Sequence, residues 1–98
     1  MLISELDTNA YGYQLLQSGD VEDAVAVFQL NVAAYPTSAN TYDSLSDAYV
    51  ALGKRADALE SAEKAIAVLP KDAEASDDFK QRVRESAERK IKELRRPS

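Results

Sequence analysis

Apolar residues recur along this chain at steps of three and four, with glycine and proline as punctuation. Tyr11 and Leu15 are followed by Val21, Ala24, Val25, Phe28 and Val32. After a break come Tyr42, Leu45, Ala48, Tyr49 and Leu52, then Leu59, Ala62, Ala65, Ile66 and Leu69. Such spacing lays side chains along one face of a helix, whereas a strand would alternate every second residue. Gly19 and Gly53 each close a helix-forming run, where glycine takes positive φ without Cβ strain. Pro36 and Pro70 stand where a missing N–H and a fixed φ stop a helix. Asp20, Thr37, Ser38 and Asp72 offer cap oxygens for the helices that follow. The pattern predicts an all-α fold of five helices over residues 4–18, 20–34, 38–52, 54–68 and 72–95, with links short enough to force antiparallel neighbours.

The punctuation repeats. Shifting the sequence by 34 residues superimposes Gly19 on Gly53, Ala24 on Ala58 and Pro36 on Pro70, and also Leu15 on Tyr49, Gly12 on Ser46 and Phe28 on Ala62. One unit spans residues 5–38 and the next 39–72, and a longer helix over 72–95 closes a single domain of 98 residues. Gly12, Ala24, Ser46 and Ala58 leave room at helix crossings, while Tyr, Phe and Leu fill the space between them. The closing helix carries the stripe Phe79, Val83, Ala87, Ile91 and Leu94. Phe79 is expected on the second hairpin, filling space beside Ala62. Ile91 and Leu94 lie roughly 18–22 Å further along. Two readings stay open for them: the stripe runs back along the preceding helix, or its end overhangs and meets another copy or a parent domain.

Composition narrows the function classes. The chain has no Cys and no His, so disulfides, thiolate chemistry, the commonest general base and the commonest transition-metal ligand are all missing. No catalytic, metal or cofactor site is expected. No apolar run approaches a membrane span, and Met1 to Glu5 show no basic-then-apolar leader, so a cytoplasmic location is expected. The net charge of −5 is unevenly spread. Residues 1–79 hold 14 acidic against 4 basic side chains, and residues 80–98 hold 3 against 8. The acidic body disfavours nucleic acid. The basic tail is interrupted by Glu85, Glu88 and Glu93 and lacks interleaved aromatics. The apolar stripe is also too narrow for a membrane surface.

The repeated pattern resembles the tetratricopeptide repeat. The second unit carries it as Tyr42, Leu45, Ser46, Tyr49, Gly53, Ala58, Ala62, Ala65 and Pro70, departing at Ala62, where an aromatic is usual. The first unit reads Thr8, Tyr11, Gly12, Leu15, Gly19, Ala24, Phe28, Asn31 and Pro36, departing at Thr8 and Asn31. The resemblance implies a helical superhelix that binds a peptide or a helix of a partner protein in a concave groove lined by the first helix of each unit. It places Leu6, Asn9, Tyr13, Leu16 and Gln17 in that groove, with Asn40, Asp43, Asp47 and Val50, then Asp77, Gln81 and Arg84. Relatives that clamp an acidic carboxyl-terminal tail need amide or basic groups where Tyr13, Ser44, Glu74 and Asp78 stand here, and only Asn9 partly fits. A basic or apolar partner is therefore expected in place of an acidic tail. A second resemblance rests on Gly12-Tyr13-Gln14-Leu15-Leu16, Phe28-Gln29-Leu30-Asn31-Val32 and Ala39-Asn40-Thr41-Tyr42-Asp43-Ser44-Leu45. These stretches look like the repeat pair at the C-terminus of some bacterial serine hydrolases and esterases. It implies an accessory or dimerisation domain of a larger enzyme.

Two features of the expected groove have competing readings. Tyr13 is either an anchor for a partner or a half-buried aromatic covering a neighbouring turn. Asp43 and Asp47, one helical turn apart, repel each other along an isolated helix. They form either a solvated face or a receptor for a partner's cation. General acid–base work by the pair is not expected, since no nucleophile or orienting group accompanies them. A homodimer through Ile91 and Leu94 of the last helix is the remaining expectation, assisted by pairing of Arg82, Arg89, Lys90, Arg95 and Arg96 with the acidic body of another chain.

Overall fold

The two glycine turns are the same structure 34 residues apart. Gly19 has φ 85° and Gly53 φ 82°. In the first turn the N–H of Gly19 donates to the carbonyl of Leu16 at 3.1 Å and that of Asp20 to Leu15 at 2.8 Å. In the second, Gly53 donates to Val50 at 3.1 Å and Lys54 to Tyr49 at 2.9 Å. This pair of bonds satisfies the last carbonyls of a helix and reverses the chain. The computed structural model describes residues 4–96. Residues 1–3, 97 and 98 lie outside it, and with them most of the segment read for a leader. The helices are α1 (Glu5–Gln17), α2 (Val21–Ala34), α3 (Ala39–Leu52), α4 (Arg55–Val68) and α5 (Asp77–Leu94), with a 3₁₀ turn over Leu69–Lys71. No strand forms among the described residues, and none of their helices is long and apolar enough to cross a membrane.

Each helix packs on the next, and α3 also touches α1 and α5, so the odd-numbered helices share one side. One core cluster joins Ala24, Val25 and Phe28 of α2 to Leu45 and Ala48 of α3. A second joins Ala39 to Val68, Leu69 and Val83, with Tyr42, Ile66 and Phe79 packed around it. Gly12 is needed because the ring of Phe28 crosses it: a Cβ there would lie 2.4 Å from Cε1. Thirty-four residues on, Ser46 replaces Gly12 and Ala62 replaces Phe28. Ser46 Oγ donates to the carbonyl of Ala58 at 2.8 Å, on the turn of α4 that also holds Ala62. The expected filling of space beside Ala62 by Phe79 is corrected, since Phe79 packs in the second cluster.

Further expectations change. Asp20 stands at the start of α2 without a side-chain cap bond. Asp72 does not cap the helix after it: its Oδ2 accepts the N–H of Ala39 at 3.1 Å and so caps α3, where Ser38 makes no side-chain bond. With Asp72 drawn to α3 and Pro70 inside the 3₁₀ turn, α5 begins at Asp77 and not at 72. Ser76 caps it by accepting from the N–H of Phe79 at 3.2 Å. Tyr11, expected in the core, is 54% exposed, whereas its equivalent Leu45 is 7% exposed. Leu45 is covered by α2, and among the described residues no helix precedes α1.

Helix α5 runs back along α4 for its whole length. Arg55, at the start of α4, donates from Nε to the carbonyl of Leu94 at 3.0 Å. Its Nη2 donates to the carbonyls of Glu93 at 3.1 Å and Arg96 at 2.8 Å. The stripe thus runs back along the preceding helix, with Ile91 and Leu94 half-buried.

Candidate functional site

On the side shared by α1, α3 and α5, five polar groups converge. Tyr13 on α1 donates its hydroxyl hydrogen to Asp47 Oδ2 on α3 at 2.6 Å, a contact between positions 34 residues apart. Asp43, one turn before Asp47, accepts from Ser86 Oγ on α5 at 2.9 Å. Lys90 lies one turn beyond Ser86. Its Nζ is 2.8 Å from Asp43 Oδ1 and 2.9 Å from Asp47 Oδ1, and it donates to the Asp43 carbonyl at 2.8 Å. The cation that the carboxylate pair calls for is therefore supplied by the chain itself. The Lys90 and Asp43 side chains are 13% and 9% exposed, so the pair is largely shielded from water, while Asp47 keeps 38% of its side-chain surface. Two carboxylates share one ammonium, and the cluster retains a net negative charge that is accessible at Asp47.

The edge of the Tyr13 ring packs on Phe28 with centroids 5.1 Å apart. Burial, reinforced by the charge of Asp47 and the hydrogen bond to it, pushes the Tyr13 phenol far above its ordinary value of 10.0. The phenol is held as a neutral donor, which fixes its direction toward Asp47.

The other expected groove residues divide. Asn9 and Asn40 are half-buried on the same helices as the cluster, and Asn9 Oδ1 is buried without a hydrogen-bond partner. Leu16 packs against the first core cluster. Asp77 and Gln81 are exposed and are not brought to Asp43 and Asp47. Gln81 bonds instead to Glu85 on its own helix at 3.0 Å. The partners of Asp43 on α5 stand 43 and 47 residues on, so the 34-residue register linking α1 to α3 is not kept by α5. The extended link before α5 shifts which of its residues face α3. Sequence reasoning missed Ser86 here and left Lys90 among the cations for other chains. The available signal was their spacing of four, which matches that of Asp43 and Asp47.

Leu6 and Tyr13 lie seven residues apart on one stripe of α1, and Leu6 borders a cleft of about 660 Å3. Ala34, Tyr35, Pro36, Ala75 and Phe79 complete its apolar part, and Glu5, Asp72, Glu74 and Arg82 are among its polar lining residues. The Arg82 guanidinium lies over the Phe79 ring, 5.7 Å from its centroid. Leu6 is 66% exposed. Compared with models of known protein families and with curated proteins, the chain matches none.

Proposed function

We propose that the chain is a non-catalytic protein-interaction module of tetratricopeptide type, with α1, α3 and α5 lining the concave side of a short superhelix. The groove holds an extended peptide or a helix of a partner protein. The observation that carries this reading is the pairing of an apolar cleft at Leu6 and Phe79 with the under-compensated carboxylate of Asp47 on one stripe of the molecule. The repeated glycine turns and the Tyr13–Asp47 contact at the repeat interval support the architecture.

The two subsites stand about 10 Å apart, from seven residues of α1 at ~1.5 Å each. An extended segment spans that distance in about three residues. The favoured ligand presents an apolar side chain to the cleft and, about three residues away, a Lys or Arg to Asp47. An acidic tail is disfavoured by the residual charge of the cluster. Asp43 is already engaged by Lys90 and Ser86 and so is not a free base, which supports the non-catalytic reading. Selection from a random peptide library tests the proposal. Selected peptides should combine an apolar and a basic residue at that spacing and lose at least tenfold in affinity for Asp47→Lys. Equal binding by Asp47→Lys overturns the proposal.

Exposure of Tyr11, at a position that is covered in the second unit, favours a second reading: an accessory domain whose first hairpin packs against the body of a larger hydrolase. A hydrolase domain in the same reading frame would support it, and the absence of one in the intact gene would exclude it.

A further inference from the structure

Helix α3 is flanked by α2 on one side and α4 on the other, whereas α5 has α4 beside it and, among the described residues, no helix after it. The side so left open is a groove between α4 and α5 of about 840 Å3, floored by Ile66 and Ile91. Along α5 its lining residues are Glu88, Ile91, Lys92 and Arg95. These stand at i, i+3, i+4 and i+7, which is one face of a helix. Read along the axis, the face runs acid, apolar, base. A face of that order is complementary to itself when a second one is laid across it antiparallel. Ile91 then meets Ile91, and each Glu88 meets an Arg95. This groove lies away from the odd-helix face and does not depend on the peptide-binding reading.

We infer that the α4–α5 groove is the contact of a two-fold homodimer in which the α5 helices of two copies cross antiparallel at Ile91. The self-complementary charge order commits the groove to a second copy, because an isologous contact needs the same patch on both partners. Arg95 already pairs with Glu63 of its own chain, both side chains being substantially exposed. Its planar guanidinium has donors left for the Glu88 of the partner copy. Lys90, consumed by Asp43 and Asp47, and Leu94, outside the groove lining, take no part. The patch covers little more than two turns of α5, so the dimer belongs to the weak class and its pairing weakens with salt.

Sedimentation equilibrium tests this at low salt, over concentrations from about 10 μM to about 1 mM. The wild-type average mass should rise with concentration from 10.7 kDa toward twice that value, and no further. Glu88→Arg sets two guanidinium groups against each other across each contact, and Arg95→Glu sets two carboxylates together, so each variant alone should stay at the monomer mass. An equimolar mixture of the two variants restores opposite charges at both contacts and should dimerise, as should the double variant carrying both changes. Circular dichroism shows that each variant is folded. A wild-type chain that stays monomeric throughout, a mass that climbs past the dimer, or a mixture that stays monomeric would each overturn the inference.

Discussion

Gly12 shows how little freedom one position retains at the tightest crossing. Alanine there drives a methyl group into the ring of Phe28, a side chain with no exposed surface and nowhere to move. Gly12→Ala should cost about 1–3 kcal/mol, lowering the midpoint of thermal unfolding by roughly 4–8 °C per kcal/mol. Gly19 and Gly53 are different, because no atom stands near where their Cβ would be. Alanine at either meets only the backbone cost of positive φ, about 1–2 kcal/mol. Since the turns are equivalent, denaturant titration should give the two variants equal losses. Tyr13 adds a pH signature. Its phenol is raised above 10.0 in the fold, so the associated stability is fully present below that pH and is lost as pH climbs toward the folded value. Unfolding measured between pH 9 and pH 11 should therefore show a steeper loss for the wild type than for Tyr13→Phe. Parallel losses would mean that the fold neither buries the phenol nor holds it at Asp47.

The elements were legible in the sequence where local chemistry decides them. Helices α1 to α4 follow from apolar spacing and glycine turns, and their ends fall within a residue or so of the expected ones. What was hidden is long-range. Asp72 reads as a cap for the helix after it, yet its oxygen serves α3, because the end of α4 returns to the start of α3. Asp72→Ala should thus cost about 1–3 kcal/mol through an unsatisfied buried N–H, and the fastest-exchanging new amide should be Ala39, not one in α5. Arg55 likewise closes α5 from another helix, since no glycine stands at its end. In Arg55→Ala, hydrogen exchange should quicken over residues 91–96 and stay unchanged in α1.

Across the whole molecule, the register of repeats predicted which residues of α1 and α3 face one another but not which residues of α5 join them. Tyr13 and Asp47 obey the repeat, whereas Asp77 and Gln81 do not, because the five residues 72–76 lengthen the link before α5 and bring Ser86 and Lys90 to α3 in their place. The site that results is partly closed by its own lysine. Removing that lysine leaves Asp43 buried without its counter-charge, so Lys90→Met should destabilise the fold by about 2–4 kcal/mol in a chemical melt while making Asp47 more open to a basic ligand. The most direct measurement is an amide chemical-shift titration of the labelled protein with a peptide selected for binding. Shifts should concentrate on α1, α3 and α5, around Leu6, Tyr13, Asp47 and Phe79. Shifts confined to the outer faces of α2 and α4 would contradict the proposal that the odd-helix side is the binding surface.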